Sequence, residues 1–150
     1  MANIILADQS AEVRRAAKFL FESLGHSVEV ARSGEEALEL VRGMLPDLVI
    51  VDARLPGFEG PALVEAIRAL KDCRQPCIFY VAENSSPMAV RSALDAGADD
   101  YLIKPFDRDL VSFKMAQAHA RGRLTERPHA PRFVQDNSSS WRLRTFGKAV

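Results

Sequence analysis

The chain has 150 residues, with 20 basic and 20 acidic side chains that give a formal net charge of zero, and 47% of its residues are hydrophobic. This length suits one compact domain with a tail, so a large multidomain enzyme is excluded, and the composition is that of a globular protein. The longest apolar run is too short to cross a bilayer, and the start of the chain lacks the pattern of a secretory signal. We therefore expect a cytoplasmic protein without membrane contact.

The first part of the chain alternates between strand and helix patterns. Residues 3–7 form a short apolar run of the kind found in buried strands. Apolar residues then recur every three or four positions between Ser10, which suits a helix cap, and Gly25, which suits a helix end. Residues 28–31 predict a second strand, and residues 33–36 match the capping box of a second helix.

The alternation continues to residue 118. Residues 47–52, with the sequence DLVIVD, are rich in β-branched side chains and predict a central strand that ends in a carboxylate. The later predicted elements are a loop over 53–57, a helix from Pro61 through Leu70, a strand over 77–81, a helix between Ser86 and Gly97, a strand over 100–103 and a helix capped by Asp107.

Five strands that alternate with five helices predict a doubly wound α/β fold with a parallel sheet, because parallel strands need crossover connections. Ligands of such sheets bind at the carboxyl ends of the strands. Asp8, Asp52 and Lys104 follow or end the first, third and fifth predicted strands. Each residue alone is weak evidence for a site, but together they predict a cavity in which a cation or the lysine offsets two carboxylates.

Over residues 2–120 the sequence resembles the receiver domain of bacterial two-component response regulators. The resemblance rests on ILADQS at 5–10, LVIVDARLPGFEG at 48–60 and GADDYLIKPF at 97–106. It implies the flavodoxin-like, or CheY-like, fold with strand order 2-1-3-4-5. It also implies a sensor histidine kinase or a phosphotransfer protein as the partner that donates a phosphoryl group.

The resemblance assigns a role to each matched residue. Asp52 corresponds to the aspartate that accepts the phosphoryl group, and Lys104 to the lysine that contacts this group. Asp8 and the Arg54 backbone carbonyl correspond to ligands of Mg²⁺, together with Asp52 itself. Tyr101 corresponds to the aromatic residue that changes rotamer on activation, and the peptide bond after Lys104 to the family's cis-proline bond.

Two site positions depart from the family pattern. Gln9 stands where a second acidic residue is usual, so Gln9 is expected to be a weak Mg²⁺ ligand and the metal to be weakly bound or absent. Val81 stands where the family has Ser or Thr, whose hydroxyl couples the phosphoryl group to the following loop. A rearranged loop could present Ser85 instead.

Two charged residues are expected at the mouth of this cavity. Arg54 lies two residues after Asp52, and Glu83 lies two residues after Val81. One hypothesis is an ion pair between them that restricts access to the site. The alternatives are two solvated side chains, or an Arg54 side chain that approaches Asp52 and replaces part of the metal's charge.

Two functions stay open on this fold. In the first, Asp52 is phosphorylated and the domain switches its protein contacts; in the second, it is a pseudo-receiver or adaptor that works without phosphorylation. No nucleotide-binding or serine-hydrolase motif is present, so we expect no enzymatic turnover beyond autophosphorylation and autodephosphorylation. The resemblance also implies signalling through the face of the fourth helix, fifth strand and fifth helix, at 87–96, 100–103 and 108–118, so this face is the expected surface for a homodimer or another partner.

The last 30 residues have a different composition. Residues 1–120 hold 13 basic and 18 acidic residues, a net charge of −5, whereas residues 121–150 hold 7 and 2, a net charge of +5. We divide the chain into a receiver at 1–120 and a basic linker or tail at 121–150. Residues 141–145 alternate apolar and basic, a strand pattern that could open a truncated effector domain, and DNA is an expected partner only if such a domain follows.

Overall fold

The computed structural model describes residues 1–71, 73–84, 86–125, 132–135 and 141–144. Nine strands and five helices occur in this part of the chain. The strands are β1 (Asn3–Ala7), β2 (Ser27–Ala31), β3 (Leu48–Asp52), β4 (Arg54–Leu55), β5 (Phe58–Glu59), β6 (Cys77–Ala82), β7 (Asp100–Ile103), β8 (Arg132–Gln135) and β9 (Trp141–Arg144). The helices are α1 (Ala11–Ser23), α2 (Gly34–Met44), α3 (Ala62–Arg68), α4 (Pro87–Ala96) and α5 (Arg108–Ala120).

Five strands form one parallel sheet in the order β2-β1-β3-β6-β7. Numbered among themselves, these strands have the order 2-1-3-4-5, so the predicted topology is confirmed. The strand order reverses at β1 and β3, which is where a doubly wound sheet opens a crevice at its carboxyl edge.

The core consists of two layers, one on each face of the sheet. Side chains of α1 and α5 pack on one face, where Phe21, Phe79 and Met115 belong to a single buried cluster. Side chains of α2, α3 and α4 pack on the other face, around Val49, Ile67 and Ile78. All five residues of β3 are buried, as expected for a central strand covered on both sides.

The predicted helix caps are present. The hydroxyls of Ser10, Ser33 and Ser86 each accept a backbone N–H from the first turn of their helix, and the Asp107 carboxylate does the same for α5. Gly97 ends α4 with a φ of 117°, in the left-handed region that glycine tolerates.

Helix α3 is shorter than predicted, since it ends at Arg68 rather than passing through Leu70. The carbonyl of Ile67 accepts the Leu70 N–H at 3.1 Å and the Gln75 side-chain amide at 3.0 Å. These bonds tighten the last turn and take up the acceptor that a further helical turn would use.

Two features extend beyond the predicted elements. The packed core continues past α5 to Leu124, which is buried with the α5 side chains. Strands β8 and β9 form a separate antiparallel pair with Phe133 opposite Leu143, so the strand predicted near residue 141 is present. The rest of the predicted tail, at 126–131, 136–140 and 145–150, lies outside the described residues. Among the described helices, none is both long and apolar enough to span a membrane.

Candidate functional site

The three residues predicted to share a cavity lie together at the carboxyl edge of the sheet. The Nζ atom of Lys104 is 2.7 Å from Asp8 Oδ2 and 3.3 Å from Asp52 Oδ1. The two carboxylate side chains are 4% and 3% exposed, and the lysine side chain is 15% exposed. The sequence separations are 96 and 52 residues, so only the parallel sheet can bring these groups into contact.

Backbone contacts fix both ends of this arrangement. The Asp8 N–H donates to the Ala31 carbonyl at 3.0 Å, and Asp8 Oδ1 accepts the Ser10 N–H at 2.9 Å. The Lys104 N–H donates to the Ala82 carbonyl at 2.9 Å. The peptide bond between Lys104 and Pro105 is cis, as the resemblance implied.

Asp52 is the last residue of β3, the strand that lies between β1 and β6 in the sheet. It is paired in register with Val81 of β6, and the Ala53 N–H donates to the Val81 carbonyl at 2.9 Å. Among the described residues, its Oδ2 atom is a buried side-chain oxygen with no hydrogen-bond partner. Such an atom costs about 1–3 kcal/mol when left unpaired, so it needs a ligand or a reaction to explain it.

The donor set fits a hard cation such as Mg²⁺. Two buried carboxylates face one ammonium group, so the three charges sum to −1, and Asp52 Oδ2 is open for coordination. Mg²⁺ prefers oxygen ligands and keeps several waters, so it does not need a full cage of protein ligands.

The site provides few charged ligands. Within the described residues no group of three or more His, Cys, Asp or Glu side chains is placed to hold a metal. Gln9 is exposed, beside Asp8, and contributes an amide rather than a carboxylate. Two carboxylates bind a cation more weakly than three, so weak Mg²⁺ binding stays a prediction from Gln9.

Val81 places an apolar side chain beside the site. It is 2% exposed and belongs to the core cluster on the α1 and α5 face, whereas Tyr80 belongs to the cluster on the opposite face. A valine side chain offers no hydrogen-bond donor to a group attached at Asp52. Ser85, the alternative hydroxyl considered from the sequence, lies outside the described residues.

Tyr101 connects β7 to the loop that follows β6. Its hydroxyl donates to the Asn84 carbonyl, and its ring centroid is 5.9 Å from that of Tyr80. Burial raises the pKa of the Tyr101 phenol. Burial also raises the pKa of Tyr80, with smaller contributions from Tyr101 and from the charge of Asp52. Both phenols are therefore protonated near neutral pH, as the hydrogen bond from Tyr101 requires.

The hypothesised ion pair between Arg54 and Glu83 is present. The Arg54 guanidinium contacts the Glu83 carboxylate, and the two side chains are 58% and 59% exposed. The alternative pairing of Arg54 with Asp52 is not the one formed here, because Asp52 Oδ1 pairs with Lys104 and Asp52 Oδ2 has no partner.

The sequence patterns did not indicate two contacts that shape this site. The loop predicted at 53–57 is instead a short ribbon, in which β4 pairs with β5 and presents Arg54 opposite Glu59. Gly57, with a φ of 79°, lies at its turn and was the available signal. The Arg14 guanidinium donates to the Asp8 carbonyl at 2.8 Å, a contact for which the sequence gives no local signal.

Comparisons with known proteins show the family to which the sequence is similar. The family model described as "Response regulator receiver domain" matches residues 4–115. The transcriptional regulatory protein AfsQ1 of Streptomyces coelicolor is 32% identical over 122 residues, which are 81% of this chain and 53% of AfsQ1. The response regulator MprA of Mycobacterium sp. (strain KMS) is 34% identical over 128 residues, which are 85% of this chain and 55% of MprA.

A solved structure provides an independent comparison of the fold. The chemotaxis protein CheY4 of Vibrio cholerae superposes with a TM-score of 0.73 at 26% identity, over 78% of this chain and 98% of CheY4. The chain spans about half the length of AfsQ1 and MprA, and the match to CheY4 covers nearly all of that smaller protein. The sheet order, the matched residues and these relatives agree: the chain belongs to the response regulator receiver domain family.

Proposed function

We propose that this chain accepts a phosphoryl group on Asp52 within a two-component phosphorelay and then switches its protein contacts. The main support for this proposal is the buried Oδ2 atom of Asp52, which has no hydrogen-bond partner among the described residues and lies beside the ammonium group of Lys104. A nucleophile needs a free lone pair, and the transferred group needs a positive charge close to its oxygens. Both requirements would be met by Asp52 and Lys104, whose charged groups lie 3.3 Å apart.

The proposed reaction begins when Asp52 Oδ2 attacks the phosphorus of a phosphohistidine. The new O–P bond forms an acyl phosphate while the P–N bond breaks, and the electron pair stays on the imidazole nitrogen, which takes a proton from water. Lys104 already lies 3.3 Å from the other oxygen of Asp52, so it can contact the transferred group without a large movement. Asp8 holds the lysine in this position at 2.7 Å.

Receiver domains generally bind Mg²⁺ at the phosphorylation site. In this chain Asp8, Asp52, the Gln9 amide and the Arg54 carbonyl would hold the ion, which would neutralise charge on the phosphoryl oxygens. Gln9 replaces a charged ligand with a neutral one, so we expect phosphorylation to need more Mg²⁺ than a site with three carboxylates.

The proposed partners follow from the reaction and from the relatives. A sensor histidine kinase or a phosphotransfer protein would supply the phosphohistidine. AfsQ1 is named a transcriptional regulatory protein, and the basic β8–β9 pair follows the receiver in this chain. We therefore propose that the receiver belongs to a DNA-binding regulator, in which β8 and β9 open the effector part.

The proposed output surface is the face of α4, β7 and α5. Four large apolar side chains are exposed there, and a homodimer or another partner would cover them: Met88, Leu94, Ile103 and Phe113. Sedimentation with and without a phosphoryl mimic tests this assignment. We expect the mass to rise with the mimic, and an unchanged mass would exclude a phosphorylation-dependent dimer.

Receiver domains are not enzymes in the usual sense. We propose that this one catalyses only its own phosphorylation and the slow hydrolysis of its own acyl phosphate. The position two residues after Asp52 holds Arg54 rather than a second acidic residue.

One observation favours a second candidate function. Val81 gives the site no hydroxyl with which to couple phosphorylation to the β6–α4 loop, so the domain could act as a pseudo-receiver. Intact-mass measurement after incubation with phosphoramidate and Mg²⁺ separates the two functions. We expect one added phosphoryl group in the wild type and none in Asp52→Asn. An unmodified wild type, under conditions that label another receiver, would favour the pseudo-receiver.

A further inference from the structure

The backbone around Arg54 is firmly held although its side chain is exposed. The Gly60 N–H donates to the Ala53 carbonyl at 2.8 Å and closes the β4–β5 ribbon. The Phe58 ring packs on Gly34 so closely that a Cβ atom there would lie 2.1 Å from a ring carbon. The ribbon is thus fixed against the start of α2, whereas the Arg54 side chain, which is more than half exposed, can move.

The partner of Arg54 lies at the start of the loop that leads to α4. Glu83 follows β6 directly and precedes Asn84, whose carbonyl accepts the Tyr101 hydroxyl. Tyr101 in turn belongs to β7, on the face that we propose as the output surface. The ion pair therefore connects the residue two positions after Asp52 to the output surface through one loop.

A phosphoryl group on Asp52 would add negative charge near Arg54 and Glu83. It would replace the single carboxylate charge with nearly two negative charges and add three strong acceptor oxygens. A guanidinium group binds phosphate oxygens through two parallel hydrogen bonds, more strongly than it binds an exposed carboxylate. Exposed ion pairs such as that of Arg54 with Glu83 are weak, so the competition favours the phosphoryl group.

We propose that Arg54 couples phosphorylation to the output surface of this chain, where Val81 cannot. On phosphorylation the guanidinium leaves Glu83 and binds a phosphoryl oxygen. Glu83 then loses its partner, the loop with Asn84 relaxes, and the Tyr101 hydroxyl is released. This inference rests on the proposed function, because it requires a phosphoryl group on Asp52.

The test uses amide NMR spectra of the full chain with Mg²⁺, before and after saturation with beryllofluoride as the phosphoryl mimic. The Lys104 amide reports whether the site is loaded, and the Asn84 and Tyr101 amides report the loop response. The variants are Arg54→Gln and Glu83→Gln, compared at matched loading. Arg32→Gln is the matched control, because Arg32 also loses an exposed ion pair, with Glu36, but on the β2–α2 side of the molecule.

We expect large shifts at Asn84 and Tyr101 in the wild type and in the control. In Arg54→Gln these shifts should fall about threefold or more at equal loading, because the contact that biases the loop is gone. In both Arg54→Gln and Glu83→Gln the unloaded spectrum should already lie part of the way toward the loaded one, because each variant breaks the ion pair. Loop shifts in Arg54→Gln equal to those of the wild type would overturn the coupling and leave the proposed function standing. A wild type that shows no loading at Lys104 would instead contradict the proposed function, and the coupling with it.

Discussion

Two substitutions in the same cavity should change stability in opposite directions. Among the described residues, Lys104 is the only cation that pairs with the side chains of Asp8 and Asp52. Lys104→Met removes it and leaves two carboxylates, each at most 4% exposed, facing each other. Asp52→Asn removes one of these charges and keeps the bond between Lys104 and Asp8. The first change should destabilise the fold, and the second should stabilise it.

The magnitudes follow from the contacts. Removing one partner of a buried ion pair costs about 3–5 kcal/mol, and we expect the lower end, about 3 kcal/mol, because the lysine keeps 15% exposure at the rim. Asp52 Oδ2 is buried without a partner, and an unpaired buried polar atom costs about 1–3 kcal/mol. An amide there still has an unpaired atom, but it carries no charge and does not repel Asp8, so Asp52→Asn should stabilise the fold by about 1 kcal/mol.

Urea unfolding without Mg²⁺, followed by far-UV circular dichroism, measures both effects. Lys18→Met is the matched control, because its pair with Glu22 is exposed and should contribute at most about 1 kcal/mol. At about 4 °C per kcal/mol, Lys104→Met should also lower the Tm, measured by thermal unfolding, by about 12 °C. The reasoning is refuted if Asp52→Asn is clearly less stable than the wild type, or if Lys104→Met matches the control.

Three further predictions concern single positions. Gln9→Asp adds a third carboxylate and should lower the Kd for Mg²⁺ about tenfold in a calorimetric titration. An unchanged Kd would contradict the assignment of Gln9 to the metal site. Val81→Thr in the Arg54→Gln background should restore the loop shifts in the loaded NMR spectrum, because a hydroxyl at position 81 can bond to the phosphoryl mimic. Loop shifts that stay small would contradict the idea that Arg54 replaces this hydroxyl in the wild type. Burial raises the pKa of the Cys77 thiol, so iodoacetamide at pH 8 should label only Cys73 in the folded protein and both thiols in urea. Labelling of both thiols in the folded chain would contradict the buried position of Cys77.

The sheet could be predicted from the sequence because each of its strands has a strong local pattern. The β-branched run before Asp52 has no competing helical period, and the caps at Ser10 and Ser86 mark where the flanking helices begin. Once the strands are parallel, their carboxyl ends lie at one edge, so the joint placement of Asp8 and Lys104 follows from topology.

The ribbon after Asp52 could not be predicted in the same way. Strands β4 and β5 have two residues each, too few for any periodicity, and Phe58 is held by its contact with Gly34 rather than by a local preference. The end of α3 depends on the Gln75 amide, which lies eight residues from its acceptor on Ile67. Such contacts depend on tertiary packing, which a single sequence does not specify locally.

The residues of the site could be predicted from the sequence, but the hydrogen-bond partners of each carboxylate oxygen could not. The sequence indicated two carboxylates and one lysine, and it left the ion pair of Arg54 with Glu83 as one of three alternatives. That Asp8 Oδ1 is occupied by the Ser10 N–H, while Asp52 Oδ2 is unpaired, depends on side-chain geometry. On this difference we base the proposal that Asp52 is the nucleophile and Asp8 the carboxylate that positions the lysine.

Chemical trapping of the acyl phosphate tests the central claim most directly. Borohydride reduces an acyl phosphate to an alcohol, so a phosphorylated aspartate becomes homoserine, which peptide mass spectrometry locates. After treatment with phosphoramidate and Mg²⁺, we predict homoserine at position 52 of the wild-type chain and nowhere else. Homoserine at position 8, or none in a wild-type chain treated alongside another receiver that is trapped, would contradict the assignment of Asp52 as the phosphoryl acceptor.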